Sequence, residues 1–469
     1  MENLDLSYRS ATDLARMIRR GQISPLEAVR HSLNRIAAVN PKLNAFAFIY
    51  EEEALTKAKE AERAIKESRP LGPLHGVPIA LKDFTATKGK RTTLGSYAYE
   101  HWVPEQDAVE ARRLLDAGAI LVGKTTTPEF AYSGFTESPL WGITRNPWDP
   151  SRTPGGSSGG SGVAVATGCV PLADGTDSGG SIRIPAGLCG IVGLKPSFGR
   201  IPMEGLPTIF DQLSHFGPLA RTVEDAVLFL RVTQGPDEAD IQSLPPLPLP
   251  DPLPRTVKGL KLAYSIDLGF HTVDEDIAAN TQSALAALAT AGAEVREVKL
   301  PWTPELDEAW FQHWGVLLAA CFGHHLQAHR ERMDPRLVAL MQRGLSMNAV
   351  EFKRIELLRT RQWQSLAKVF ADHDALLCPS MAIPAPPVGR ADQDFCYVDP
   401  EGRYRGFDMT AIFNFVGQCP VLSVPSGLTK EGLPTGLQIV GRRFDDSTVL
   451  TIGATLEDWM PWRDRKPPI

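Results

Sequence analysis

Two glycine-rich segments carry the serines that could do chemistry in this sequence, PGGSSGGSG at 154–162 and GTDSGGSIRIP at 175–185. Neither segment contains a histidine, so a nucleophilic serine there needs another base. Lys82 is a candidate because it lies near the end of the apolar run GVPIALKD (76–83), which predicts a buried strand. Burial lowers the pKa of a lysine, and a neutral lysine can accept a proton.

Such a site would also need a proton relay and backbone donors. A hydroxyl both donates and accepts a hydrogen bond, so one serine can pass a proton between the lysine and a second serine. The glycines before the second serine expose backbone N–H groups, as an oxyanion hole requires. On the residues alone, two plainer interpretations stay open. Gly/Ser segments are typical of flexible turns, and a lysine before an aspartate is typical of a surface ion pair.

Two other motif matches point to different chemistry. GAILVGKT (118–125) fits the P-loop pattern, but its interior is apolar and Thr-Thr-Thr-Pro follows, which predicts a strand without nucleotide binding. GGSSG (155–159) fits the GxSxG nucleophile elbow of Ser-His-Asp α/β-hydrolases. An elbow needs a strand before its serine, whereas NPWDPSRTP precedes this one. The elbow stays open as a competing hydrolase mechanism.

The surrounding pattern predicts an α/β fold that positions these segments. A helix capped by Ser10 runs to about Arg20, and a second starts at Ser24-Pro25 and runs to Asn40-Pro41. AILVGK (119–124) predicts a strand, and residues 136–162 predict a loop. The proline-rich stretch 244–254 predicts a surface connection, because GLKLAYSI and DALLCPS beyond it look like further strands of the same sheet.

Composition narrows the class of protein. The 469 residues carry a net charge of −6, which argues against a nucleic-acid partner. The six cysteines are scattered without a CxxC, which favours reduced thiols and a cytoplasmic location. The N-terminus does not read as a secretion signal. The longest apolar stretch, at 315–323, is too short to span a membrane.

Several segments together resemble the amidase signature family. PLHGVPIALKD is similar to the family's lysine segment, and GKTTTPEFA resembles its GKTN-x-x-EF segment, with Thr126 where asparagine is usual. NPWDPSRTPGGSSGGSGVAVATG and GTDSGGSIRIPAGLCGIVGLKPS resemble the signature itself. The resemblance implies one amidase domain over 1–469, an α/β/α sandwich around a large mixed twisted sheet. Its parts would be N-terminal helices (1–70), a signature core (71–230), a proline-rich surface loop (240–256) and a C-terminal part with pocket elements (257–469).

The resemblance also implies a role for individual residues. Ser181 would be the nucleophile, Ser157 the bridging serine after a cis peptide bond with Gly156, and Lys82 the base. The oxyanion hole would be formed by the N–H groups of Ser178, Gly179, Gly180 and Ser181. Ser158 and Ser161 would cap or pack the following helix. Asp177 and Arg183 would fix the nucleophile loop, with a direct contact to the substrate as the less favoured alternative.

The implied reaction is amide hydrolysis through an acyl-enzyme, without metal or cofactor. The substrate would be a small-molecule amide, aryl or otherwise hydrophobic, with anilides, esters and carbamates (urethanes) left open. The acyl side is expected to contact Phe130, Ala131, Tyr132 and Ser133. Trp302, Trp310, Phe311, Trp314 and Phe322 are expected to pack in the core, with an apolar pocket as the alternative.

Two questions about partners stay open at this point. The sequence leaves a homodimer open. The A-type component of tRNA-dependent glutamine amidotransferase has the same implied fold and triad, and it acts only inside a complex. A stand-alone enzyme is favoured, because the tyrosine-rich helix associated with that component has no match in NAVEFKRIELLRTRQWQSL.

Overall fold

The chain forms one large mixed β-sheet in this computed structural model, which describes residues 4–469. Eleven strands lie in the order β1-β3-β2-β6-β8-β7-β14-β15-β11-β9-β10, and β4–β5 and β12–β13 form separate pairs. The strands are β1 Phe46–Ile49, β2 Pro78–Lys82, β3 Ile120–Thr125, β4 Glu137–Ser138, β5 Gly142–Ile143, β6 Leu172–Asp177, β7 Val192–Lys195, β8 His215–Ala220, β9 Lys261–Tyr264, β10 Glu294–Glu297, β11 Ala375–Pro379, β12 Tyr397–Val398, β13 Tyr404–Arg405, β14 Val421–Leu428 and β15 Pro434–Gly441.

Helices cover both faces of the sheet. They are α1 Leu4–Ser7, α2 Ala11–Arg19, α3 Pro25–Leu43, α4 Glu51–Lys66, α5 Val109–Asp116, α6 Gly159–Ala166, α7 Arg183–Cys189, α8 Val223–Thr233, α9 Glu275–Thr290, α10 Glu305–Phe322, α11 Leu326–His329, α12 Pro335–Ser346, α13 Ala349–Asp372 and α14 Asp446–Trp459. Among the described residues, no helix is long and apolar enough to cross a membrane.

Alternate strand residues point into different hydrophobic layers. Ile79 and Leu81 of β2 pack in a cluster with α8, α9 and α14, whereas Ala80 packs with α3, α4 and α6. Leu377 of β11 joins the first cluster, and Leu376 packs with α10, α12 and α13. Successive side chains of a strand face opposite sides, so both faces of the sheet are buried. The α/β/α sandwich implied by the family resemblance is therefore confirmed.

Most of the predicted elements are confirmed, with two corrections. Residues 118–125 include β3 rather than a P-loop, and the strands beyond the proline-rich stretch join the same sheet as β2. The second N-terminal helix does not stop at Asn40-Pro41. It continues to Leu43 and ends at the left-handed Asn44, whose N–H bonds to the carbonyl of Asn40. The predicted loop 136–162 is also interrupted, by β4, β5 and the start of α6 at Gly159.

The sheet topology brings two of the chemical segments to one edge. Strand β2 pairs in parallel with both β3 and β6. The carboxyl ends of parallel neighbours meet at the same edge of a sheet, where open α/β proteins bind ligands. Lys82 is the last residue of β2, and GTDSGGSIRIP leaves the end of β6.

Candidate active site

Lys82 lies at the centre of a hydroxyl cluster. Its Nζ donates to Ser157 Oγ at 2.6 Å, to Thr176 Oγ1 at 2.8 Å and to Ser158 Oγ at 3.0 Å. The side chain is fully buried. It lies two residues beyond Ala80 on the strand, and so faces the layer that contains α6. The three hydroxyls saturate the three donors of an ammonium group.

The environment of Lys82 lowers the pKa of its side chain. Burial lowers the pKa of Lys82 to about 7, against the opposing charges of Asp174 and Asp177. Asp174 is held in place by the backbone N–H of Lys82 and by the Thr85 hydroxyl. Lys82 is therefore divided between its two protonation states near neutral pH, as a general base requires.

The segment before α6 supplies two of the three hydroxyls. The Gly156–Ser157 peptide bond is cis. Ser158 occupies the N-cap of α6, but its side chain caps no helix N–H; its Oγ instead accepts hydrogen bonds from Lys82 and from the N–H of Thr176. Of the two roles expected for Ser158, capping or packing the helix, capping by its side chain is not observed, because its oxygen accepts from the buried lysine. Ser161 packs α6 against β3 through a 2.7 Å hydrogen bond to Thr125.

Ser181 is partly exposed and lines a cavity together with Ser178 and Gly179. Its backbone carbonyl accepts a hydrogen bond from the N–H of Ser158 at 3.2 Å, which holds the two serine segments together. Among the described residues, no hydrogen bond joins the Ser181 and Ser157 hydroxyls. The structure thus brings Lys82 and Ser157 into contact and places Ser181 beside them.

The backbone N–H groups of the 178–181 loop differ in whether they already donate a hydrogen bond. The N–H of Gly180 donates to Asp177 Oδ1 at 2.7 Å, so it is already occupied. Within residues 4–469, the amides of Ser178, Gly179 and Ser181 donate no hydrogen bond, and these three residues line the cavity. Three of the four expected oxyanion donors are therefore available to a ligand.

Two glycines of this loop are required by space and by backbone conformation. A Cβ on Gly179 would lie 2.1 Å from the Trp310 ring. Gly180 has φ +125°, a conformation that favours glycine, and a Cβ there would lie 1.8 Å from Thr410 Oγ1. Any larger residue at either position would displace the loop.

A buried ion pair holds the loop from behind. Arg183 donates to both oxygens of Asp177 at 2.9 Å and to Asn414 Oδ1 at 2.6 Å. Asn414 in turn donates to Asp177 Oδ1 at 3.0 Å. Burial alone would raise the pKa of Asp177, but the charge and hydrogen bonds of Arg183, with Asn414, hold that pKa well below its usual range. Asp177 and Arg183 thus lie behind the loop as expected. The sequence analysis missed Asn414, which lies far along the chain.

The loop predicted to contact the acyl group only partly lines the cavity. Ala131, Tyr132 and Ser133 line it, whereas Phe130 is fully buried and its ring stacks on Phe322 at 4.3 Å. Phe130 lies behind the cavity wall because its left-handed backbone, with φ 50°, turns the chain at that point.

The aromatic stretch divides between the core and the cavity. Trp302, Trp310, Trp314 and Phe322 are buried in one core cluster, as expected, and Trp310 and Trp314 also line the cavity together with the half-buried Phe311. Trp310 Nε1 donates to the Ser178 carbonyl and Trp314 Nε1 to the Tyr132 carbonyl, each at 3.0 Å. The two indoles stack at 6.0 Å.

Three carboxylates that the sequence analysis missed also line this cavity: Asp307, Asp392 and Asp408. Burial raises the pKa of Asp307 to about 8, and the neighbouring charge of Asp408 contributes to that rise. Burial likewise raises the pKa of Asp392 to about 6. None of the described residues that line the cavity is Lys, Arg or His.

The structure does not support the GxSxG elbow. The residues immediately before Ser157, 144–156, form no strand, and the hydrogen bond at its hydroxyl comes from a lysine rather than a histidine. Within residues 4–469, no group of three or more His, Cys, Asp or Glu side chains could hold a metal ion.

Comparison with known proteins relates this chain to amidases. A family model described as Amidase matches residues 27–450. The acylamidase of Rhodococcus erythropolis is 36% identical, over 100% of this chain and 98% of its own. A glutamyl-tRNA(Gln) amidotransferase subunit of Geobacter sp. (strain M21) is 35% identical over 100% of both chains. The solved structure of a bacterial aryl acylamidase of the amidase signature family matches with a TM-score of 0.90 at 32% identity, over 97% of each chain.

Proposed function

Because this chain belongs to the amidase signature family and is an amide-hydrolysing enzyme, we propose that it cleaves aryl or otherwise hydrophobic amides through an acyl-enzyme on Ser181. Lys82 is the base and Ser157 the relay. The observation that carries the proposal is the fully buried Lys82, whose Nζ lies 2.6 Å from Ser157 Oγ.

In the acylation step, Ser181 Oγ bonds to the carbonyl carbon of the amide. Its proton passes to Ser157, and the Ser157 proton passes to Lys82. The negative charge on the carbonyl oxygen is stabilised by the free N–H groups of Ser178, Gly179 and Ser181. When the C–N bond breaks, Lys82 returns a proton through Ser157 to the departing nitrogen, which leaves as an amine.

Deacylation uses the same groups. A water molecule attacks the ester carbon, and its proton travels to Lys82 through Ser157. The bond between the carbon and Ser181 Oγ then breaks, and Ser181 takes the proton back. The carboxylic acid leaves, and the enzyme returns to its starting state.

The cavity lining supports a hydrophobic substrate and a stand-alone enzyme. Trp310, Phe311 and Trp314 offer flat apolar surfaces to an aryl or alkyl group. Free glutamine, the ammonia donor of an amidotransferase, carries both an ammonium and a carboxylate group and has no apolar body for these three rings to contact. The aromatic lining therefore favours a stand-alone amidase over an amidotransferase component.

The test is hydrolysis of a substrate panel by the purified chain and by Ser181→Ala. The panel contains aliphatic amides, aryl amides, anilides, carbamates and glutamine. We expect aryl or anilide substrates to react best and Ser181→Ala to lower kcat by about 10⁴-fold or more, with unchanged thermal unfolding. Most activity surviving in Ser181→Ala would contradict the nucleophile. Activity on glutamine alone, and only with partner proteins, would contradict the stand-alone amidase.

A further inference from the structure

We propose that the active-site cavity selects amides that carry a protonated amino group, which Asp307 and Asp408 bind beside the indole rings of α10. The inference rests on the proposed function and names a substrate class within it. Its basis is the set of carboxyl groups in a cavity whose described lining residues include no cationic side chain.

The three aspartates of the cavity differ in how well the protein satisfies them. Asp392 accepts hydrogen bonds on both oxygens, from Ser133 Oγ at 2.9 Å and from the N–H of Gly134 at 2.8 Å. Asp307 accepts one, on Oδ2, from the Tyr404 hydroxyl at 2.9 Å; among the described residues its Oδ1 accepts none. Asp408 accepts from the N–H of Thr410 at 2.8 Å and from the Thr410 hydroxyl, both on Oδ1. Asp392 therefore holds the cavity wall together, whereas Asp307 has an oxygen left for a ligand.

The neighbouring imidazole ring of His271 does not donate a hydrogen bond to Asp307. The His271 side chain is fully buried, and its Nε2 lies 3.8 Å from Asp307 Oδ2, beyond hydrogen-bond distance. Neither ring nitrogen has a hydrogen-bond partner among the described residues. Burial lowers the pKa of His271 to about 3, so the ring is neutral. An unpartnered polar ring and an under-used carboxylate thus face each other at one side of the cavity.

The cation whose charge reaches Asp408, Arg183, is already bound by other residues. The charge of Arg183 reaches Asp408, but its guanidinium is bound by Asp177, Asn414 and Gln438. The charge of Asp408 helps burial to raise the pKa of Asp307. Burial raises the pKa of both carboxyl groups, to about 8 for Asp307, and a cation entering the cavity would stabilise their ionised forms.

The rings of the same cavity suit an organic cation. Ammonium groups are attracted to the faces of Trp and other aromatic rings as well as to carboxylates. Trp310, Phe311 and Trp314 line the cavity together with Asp307 and Asp408. A substrate with an apolar body and one ammonium group matches both kinds of surface. A neutral isostere leaves the carboxylates without a partner, and an anionic one is repelled.

The experiment compares matched substrates that differ only in charge. In the acyl series, the p-nitroanilides carry ω-aminopentanoyl, hexanoyl or adipoyl groups. In the amine series, acetanilides carry a para-aminomethyl or a para-ethyl group. In one of the two series we expect kcat/KM for the cationic member to exceed that of its neutral isostere by about tenfold, the size of one hydrogen bond to a charged group. We expect the adipoyl compound to react more slowly than the hexanoyl compound.

Two variants locate the effect. Asp307→Asn should bring the cation-to-neutral ratio close to one. Glu308→Gln, its neighbour on α10, should keep the wild-type ratio, because Glu308 is exposed and pairs with Arg343. If Asp307→Asn does not fold, inhibition of the wild-type enzyme decides: benzylammonium should inhibit about tenfold more strongly than benzyl alcohol.

The outcomes separate this inference from the proposed function. If the neutral substrates are hydrolysed but neither cationic member is preferred, or if Asp307→Asn keeps the preference, the cation subsite is wrong and the amidase proposal stands. If no member of either series is hydrolysed, the proposed function fails, and the inference fails with it.

Discussion

Two buried lysines in this molecule resemble each other in position and differ in their neighbours. Lys82 is the last residue of β2 and Lys195 the last residue of β7. Both are fully buried, and burial lowers the pKa of each to about 7. By burial and pKa alone, either could be a general base.

Their hydrogen-bond partners separate them. Lys82 donates to three hydroxyls. Lys195 Nζ lies within hydrogen-bond distance of three backbone carbonyls, those of Cys419 at 2.9 Å and of Pro196 and Gly417 at 3.2 Å, and of the His215 ring Nε2 at 3.4 Å; none of these four partners is a hydroxyl. A hydroxyl can give up its own proton to the lysine, whereas a carbonyl oxygen has no proton to give. A lowered pKa marks a candidate base, and only the chemistry of the acceptors shows whether a proton has a path to it.

The prediction with the largest expected effect compares variants in which each lysine is replaced by methionine. Without the proposed base, Lys82→Met should lower kcat/KM by about 10²–10⁴-fold. Lys195→Met should lower kcat/KM by less than about tenfold, but reduce the free energy of unfolding by about 1–3 kcal/mol, because buried carbonyls lose their donor. Steady-state kinetics and denaturant unfolding measure both quantities. A larger loss of activity in Lys195→Met than in Lys82→Met would reverse the assignment.

The pH profile sharpens the same comparison. The proposed base must be neutral, and the pKa of Lys82 is about 7. We therefore expect kcat/KM to fall about tenfold per pH unit below pH 7 and to level off above it. Lys195→Met should keep this acid limb. In Lys82→Met the limb should be absent, with a residual rate that continues to rise at high pH. An acid limb that disappears in Lys195→Met instead would assign it to the other lysine.

The prediction with the smallest expected effect concerns a single hydroxyl of the cluster around Lys82. Thr176 Oγ1 accepts from Nζ and so stabilises the charged form of the lysine. Thr176→Val should lower the pKa of Lys82, which moves the acid limb of kcat/KM to lower pH by about one unit or less. Thr233→Val is the matched control, since that buried hydroxyl bonds only to the Phe229 carbonyl within α8. A limb that stays in place in Thr176→Val would show that this hydroxyl does not act on Lys82.

The sequence was sufficient for features that depend on neighbours in the chain. The apolar run before Lys82 predicted β2, and Ser24-Pro25 predicted the start of α3. The helix-breaking effect of Pro41 was overestimated, because a proline in the last turn costs few of the helix's hydrogen bonds. The family and the sandwich architecture followed from motifs spread along the chain.

The environment of the site could not be predicted in the same way. Asp307, Asp392 and Asp408 come from distant segments and share a cavity only after α10 and the C-terminal segments pack against the 178–181 loop. Asn414 reaches Asp177 across 237 positions of sequence. Ser158 binds Lys82 instead of capping α6 because β2 and α6 meet there.

The sequence by itself determined which residue types stand at the ends of strands and the starts of helices, since those depend on local periodicity and backbone chemistry. Only the tertiary structure decided which groups share one desolvated volume. Burial sets the pKa of Lys82, and contacts between distant segments decide which acceptor each donor finds. For that reason Lys82 and Lys195, both at strand ends, differ in what a proton can do there.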